Sequence, residues 1–239
     1  MVVWLFSGGG ETEVRGLAPF LKKHFPKHTF ERKSPIRRKP GSKPGQKNSG
    51  AARCGYGRTG KGLAKEIPKR LRDSLNHNEP CDIILIFDDL DCRDYSRQKK
   101  DCLDAVKSVE RASGIKTYIC FAAPEIEAWL IADWDHSFAK HPDFRQRHDA
   151  MRHWLRAEKK IPFDAPESFG DYDPKRGACD EKMSEAIIES TTLTPEDQFR
   201  NRYSKARHTP ELLLDIEPSE TLKRCPLFRD FYYYFNPVP

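Results

Sequence analysis

The chain has 239 residues, 37% hydrophobic and 33% charged, with 42 Lys and Arg against 36 Asp and Glu for a formal net charge of +6. That length suits one large domain or a core with an elaborated tail, and its apolar share is enough to fill an interior. Apolar runs such as Ile83 to Phe87 fall far short of the roughly 20 residues a membrane-spanning helix needs, so no membrane is expected among its partners. Seven cysteines, an odd number with no CxxC pair, argue against a disulfide framework and a zinc knuckle and fit a reducing cytoplasm.

In chain order, Val2 to Phe6 predicts a short buried strand, with no basic segment before it of the kind that opens a signal peptide, running into Ser7-Gly8-Gly9-Gly10. Val14, Leu17, Ala18, Leu21 and Phe25 repeat at the spacing of a helix with one buried face, which Pro19 should kink or shorten. A second strand is read over His28 to Ile36, and a loop rich in Gly, Pro, Ser, Lys and Asn over Pro40 to Gly57. Leu63, Ile67, Leu71 and Leu75 mark a second helix, interrupted at Pro68. Asp82 to Phe87 is continuously apolar after its first residue, as a central parallel strand should be. A third helix from about Tyr95 to Ala112 ends at Gly114, and Ile115 to Phe121 is the next strand.

Helix follows again over Glu125 to Asp133, then over Met183 to Ser190 and Pro210 to Leu214, and the aromatic tail from Phe228 to Phe235 is expected to pack back on the body. Strand and helix alternate, so the fold class is α/β: a Rossmann-like parallel sheet flanked by helices, with right-handed crossovers. The core is assigned to residues 1–135, with a basic loop at about 37–62, and a helical extension to residues 136–239. Ligands in such sheets bind beyond the carboxyl ends of the strands.

The residues at those ends carry the chemistry. Asp88, Asp89 and Asp91 follow the most apolar strand, and carboxylates crowded there repel one another unless something positive sits among them. Clustered oxygen ligands suit Mg²⁺ or Mn²⁺. Asp94 reads instead as the N-cap of the following helix. The glycines after the first strand allow close approach of a ligand to the backbone, and Glu11 and Glu13 lie on the same edge. Past the last strand, Glu127 in Pro124-Glu125-Ile126-Glu127-Ala128-Trp129 can point to that edge too. The simpler alternatives are acidic residues in first helical turns and a solvated glutamate.

Together these three segments resemble the toprim superfamily, and within it small bacterial toprim-like proteins found beside ATPase partners, relatives of nucleases of the overcoming-lysogenization-defect type. Asp89-Leu90-Asp91 matches the family's Asp-x-Asp, and Glu125 to Asp133 matches its Glu-x-Glu-Ala-Trp-Leu-x-Ala-Asp helix. Where the family places a glutamate before its glycines this chain has Ser7, and Glu11 or Glu13 is left to take that part.

The resemblance implies Mg²⁺ (or Mn²⁺) held by Glu11, Asp89, Asp91 and Glu127, with Lys205 as a further catalytic group neutralising charge on a phosphodiester. It implies a metal-dependent nuclease acting in bacterial antiviral defence or DNA processing with a separate ABC- or AAA-type ATPase. The alternative is a catalytically inactive toprim-like nucleic-acid-binding or regulatory subunit, which Ser7 favours.

A basic stretch adds independent support. Arg37, Arg38, Lys39, Lys43, Lys47, Arg58 and Lys61 lie in or beside the loop and are candidates for the phosphate backbone of nucleic acid, DNA before RNA. A merely solubilising loop is the plainer reading. The segment Gly55 to Gly62 falls one residue short of a Walker A loop, with Gly62 where Ser or Thr would bind Mg²⁺. None of the eight histidines has metal-ligand spacing, and His208 is expected at the surface.

Overall fold

In β1 (Val2–Ser7), Val3 and Leu5 point to one face of a sheet and Trp4 and Phe6 to the other, all four fully buried. Both faces of the strand are therefore covered, which is why it lacks polar alternation. The computed structural model describes residues 1–10, 12–35 and 58–237. Glu11, the predicted loop and its Arg37, Arg38, Lys39, Lys43 and Lys47 lie outside the described residues.

β1 is joined on one side by β2 (Thr29–Ser34) and on the other by β3 (Ile83–Asp89), beyond which lies β4 (Lys116–Ala122). All three pairings are parallel, in the order β2-β1-β3-β4. The chain leaves β1 first to one side and then returns to the other, so the carboxyl ends of β1 and β3 flank the point where strand order reverses. That crevice is the expected ligand position of an open parallel sheet.

One face packs on α2 (Lys61–Asn76) and α3 (Tyr95–Lys107) through Leu63, Ile67, Leu71, Cys102 and Val106. α2 runs unbroken through Pro68, contrary to the expected interruption: its buried Leu63-Ile67-Leu71-Leu75 stripe compensates for the one backbone donor that proline removes. The side chain of Asp94 does cap α3, accepting from the Arg97 amide at 2.7 Å.

The other face packs on α1 (Ala18–His24), α4 (Glu127–Ala132) and the carboxyl-terminal helices. Before α1 the chain makes a π-helical turn, Glu13–Leu17, in which the Ala18 amide donates to the Glu13 carbonyl. Pro19 sits in the first turn of α1, where no amide is needed. Gly16 in that turn is pressed against α7 (Lys205–Asp215): a Cβ there would stand 2.8 Å from the Cα of Pro210. The carboxyl-terminal helix α7 thus lies beside the segment that follows β1, and it is longer than the predicted Pro210 to Leu214.

α5 (His148–Ala157), the two-stranded hairpin of β5 (Tyr172–Asp173) and β6 (Ala178–Cys179), α6 (Met183–Ser190), α8 (Pro218–Arg224) and α9 (Pro226–Phe235) complete the chain. α9 carries the aromatic tail onto the body as expected, with Phe228 4.7 Å from Trp129 between ring centroids. One apolar cluster joins Val3, Leu85 and Phe87 of the sheet to Leu212, Phe228 and Phe231, so the helical extension completes the core.

Two expectations are corrected. Cys92 and Cys179 form a disulfide, with Cα atoms 4.9 Å apart across 87 positions of sequence. Spacing along the chain hid this pair because the turn after β3 folds back onto the β5–β6 hairpin. His208 is buried, its ring taking the Ser204 amide at 2.8 Å on one nitrogen and meeting Asp143 at 3.2 Å on the other.

Candidate active site

The carboxyl end of β3 delivers two buried aspartates with different surroundings. Asp88 accepts the Gly60 amide at 2.6 Å through one oxygen, while the other is buried without a partner, and burial pushes its carboxyl up to about 7. Asp89 points into the crevice. Its Oδ1 accepts the Ile126 amide at 2.9 Å and its Oδ2 lies 3.1 Å from Lys205 Nζ. Burial, with Glu127, Glu125 and Glu13 nearby, raises the Asp89 carboxyl well above the ordinary range in spite of Lys205.

β4 ends at a cis Ala123–Pro124 bond, after which Glu125 and Glu127 both face the same point. Glu125 lies before α4 begins, so the two positions are not held to the 100° step of a helix. Its Oε1 is 3.1 Å from Lys205 Nζ, and the Ser184 amide and hydroxyl donate to it at 2.9 and 3.0 Å. Burial alone would raise Glu125, but Lys205 and the Ser184 amide outweigh it and hold the group below its usual value. Glu127 is fully buried: Tyr203 Oη and Thr209 Oγ1 each donate to Oε1 at 2.9 Å, and Oε2 lies 3.0 Å from Lys205 Nζ.

Lys205, the first residue of α7, therefore sets one ammonium among three carboxylates from two strand ends. Burial lowers its pKa, but the carboxylates, Asp89 first, more than reverse this and keep it charged. Thr12 Oγ1 donates to the Lys205 carbonyl at 3.2 Å and ties α7 to the glycine turn. There Glu13 is buried, accepts the Gly10 amide at 2.6 Å and feels the charges of both Lys205 and Glu127; burial raises its carboxyl.

The structure thus brings together Asp89, Glu127 and Lys205 of the predicted residues. Asp91 is not on this ring. With Asp91 and Cys92 both in left-handed backbone, φ 50° and 57°, its carboxylate turns to Arg93 at 2.8 Å and Lys182 at 3.6 Å. Ser7 is buried in β1 and donates to the Ser34 carbonyl at 3.1 Å, away from the carboxylates. Arg58 and Lys61 are exposed at the start of α2. Glu125 was missing from the predicted site. The sequence signal was its spacing of two from Glu127 just after Pro124, before a helix can start.

The donor chemistry of Glu13, Asp89, Glu125 and Glu127, all hard oxygen, fits a divalent cation such as Mg²⁺. Four carboxylates against one ammonium leave three negative charges in excess when all are ionised, which a divalent ion would relieve. Among the described residues, however, no group of three or more His, Cys, Asp and Glu side chains is arranged to hold a metal ion, because Lys205 Nζ stands where the oxygens converge.

A parallel α/β sheet of Rossmann-like form, with a lysine-centred carboxylate site at its switch point, defines the class. The chain belongs to the family described as domain of unknown function DUF4276, whose model matches residues 10–234. No curated protein matches it. No solved structure matches it either. None of the described helices is long and apolar enough to cross a membrane.

Proposed function

We propose that the protein is a toprim-like, Mg²⁺- or Mn²⁺-dependent nuclease that cleaves phosphodiester bonds of nucleic acid, DNA before RNA. The observation that carries this reading is the convergence of Asp89, Glu125 and Glu127 to within 3.0–3.1 Å of one point at the carboxyl edge of the sheet, with Glu13 beside them. These four carboxylates would hold the cation, which when bound polarises the phosphodiester and eases ionisation of water.

The chain's own residues do the rest. Tyr203 and Thr209 fix the orientation of Glu127, and Ser184 fixes Glu125, so the oxygens are set before substrate arrives. Lys205 offers a full positive charge to the non-bridging oxygens of the phosphate as negative charge develops. Arg58 and Lys61, with Arg37, Arg38, Lys39, Lys43 and Lys47 of the basic loop, would hold the backbone without reading sequence. A cytoplasmic role in antiviral defence or DNA processing beside an ATPase belongs to the same proposal and rests on the toprim resemblance.

A plasmid-nicking assay with Mg²⁺ or Mn²⁺ tests it: wild type cuts and Asp89→Ala does not. Cleavage that survives this substitution would remove the site assignment. A second reading, a nucleic-acid-binding or regulatory subunit without catalysis, is favoured by the position of Lys205, which already supplies a cation at the centre of the carboxylates. Calorimetry with Mn²⁺ separates the two, since the second reading predicts no metal binding to the wild-type chain.

A further inference from the structure

The amino ends of α2 and α3, helices of 16 and 13 residues, meet on the sheet face opposite α4, and between them lies a cavity of about 370 Å³. Lys61, Arg93, Arg97 and Gln98 line it, together with Asp94 and Asp101. Lys61 and Arg97 are exposed and extend from the first turns of the two helices. Asp94 is engaged, its carboxylate accepting the Arg97 amide, so Asp101 is the acidic group left to oppose three cations.

The floor is made of fixed donors. The Arg93 guanidinium is clamped by the Leu90 carbonyl at 3.0 Å, the Asp89 carbonyl at 2.9 Å and the Asp91 carboxylate at 2.8 Å, through Nε and Nη2. Its Nη1 is turned towards Gly60, and so is the Nε2 of Gln98. A Cβ on Gly60 would stand 2.1 Å from the first and 3.0 Å from the second. Gly60 holds φ at +54°, a conformation only glycine adopts freely, so the missing side chain leaves this cradle open. Gln98 is 6% exposed and its Nε2 has no hydrogen-bond partner. A buried donor left unsatisfied in a cavity lined by two arginines and a lysine calls for an oxyanion.

We propose that this cavity binds a phosphoryl group, the phosphate of a nucleic-acid backbone or of a nucleotide, with Gln98 Nε2 and Arg93 Nη1 as buried donors and Lys61 and Arg97 as the mobile charges above. This deepens the nucleic-acid reading and rests on it only for the source of the phosphate. The subsite is distinct from the carboxylates, which it meets through Arg93, and its occupancy needs no metal.

The experiment is calorimetry and thermal melting in EDTA with inorganic phosphate, pyrophosphate, AMP, and a short oligonucleotide with and without a 5′-phosphate. Wild type is expected to bind. Arg97→Ala and Gln98→Leu should each weaken binding by about tenfold or more, the size of one charge-assisted or buried hydrogen bond. Lys61→Ala should do the same, while Asp89→Ala keeps phosphate affinity. Preference for AMP or the 5′-phosphorylated strand assigns a terminal phosphate, and equal binding of both strands assigns the backbone; either supports the site. The proposal falls if wild type binds none of these probes, or if all three cavity variants, melting like wild type without ligand, bind as wild type does. Because EDTA is present throughout, absence of nicking activity leaves this measurement untouched.

Discussion

Replacing Lys205 by Met removes the ammonium from among Asp89, Glu125 and Glu127 while keeping the length of the stem. Each of these carboxylates lies within 3.0–3.1 Å of Nζ, and their side chains are 11%, 3% and 0% exposed. Stripping one partner from a buried ion pair costs about 3–5 kcal/mol, because the remaining charge is left uncompensated. The Lys205 side chain is 32% exposed, so solvent screens part of the interaction and the lower figure applies. At roughly 2–4 °C per kcal/mol for a chain of this size, about 3 kcal/mol lowers the melting temperature by about 6–12 °C.

Two further readouts give the cause. Asp89 and Glu13 are already raised by burial, so their protonated forms are favoured in the folded state and their ionisation destabilises it as pH rises. Without Lys205 that penalty grows, and the loss in Lys205→Met should be largest near pH 8 and shrink towards pH 5. If the carboxylates accept a divalent cation, Mn²⁺ should restore the variant more than it stabilises wild type, by about 2.7 kcal/mol at a hundredfold excess over Kd. The assay is thermal unfolding followed by circular dichroism at several pH values, with and without Mn²⁺. A Lys205→Met protein melting within about 2 °C of wild type at pH 8 would refute the reasoning, since that corresponds to under 1 kcal/mol.

Glu167 accepts the Leu227 and Phe228 amides at the start of α9, at 2.8 and 3.1 Å, and burial pushes its carboxyl up to about 7. Its contribution to stability is therefore present at low pH and lost as pH rises from about 4.5 to about 7, by at most about 3 kcal/mol, and urea unfolding of Glu167→Gln should show a flatter profile over that window. Reducing Cys92–Cys179 opens a loop of 87 positions, and a dithiol reductant should lower unfolding stability by about 4 kcal/mol, measurable as a shift in denaturant midpoint. Asp91→Asn should leave Mn²⁺ affinity unchanged within about twofold by calorimetry, because the Asp91 carboxylate pairs with Arg93 and Lys182, whereas Asp89→Asn should reduce it by about tenfold or more.

The sheet could be read from the chain because its signals are local. Ile83 to Phe87 is apolar without alternation, as a strand covered on both faces must be, and the helical stripe at Leu63, Ile67, Leu71 and Leu75 is regular enough to survive Pro68. The Cys92–Cys179 bond, the burial of His208 and the β5–β6 hairpin were not readable, because each depends on how residues beyond 135 fold back, and no periodicity in those segments encodes their neighbours.

The candidate site divides in the same way. Asp89 and Glu127 follow from their place at strand ends, where a parallel sheet exposes its functional edge. Asp91, two residues from Asp89, looked equivalent by the alternation of a strand. But β3 ends at Asp89, and from Asp91 onwards left-handed backbone governs where a side chain points. Lys205 depended on packing: Gly16 against Pro210 sets α7 beside the π-helical turn, and that contact carries the first residue of α7 to the carboxylates. A bulkier residue at position 16 would push α7 outward and withdraw the ammonium without touching any carboxylate. The charge balance of the site is therefore controlled from a glycine that has no chemistry of its own.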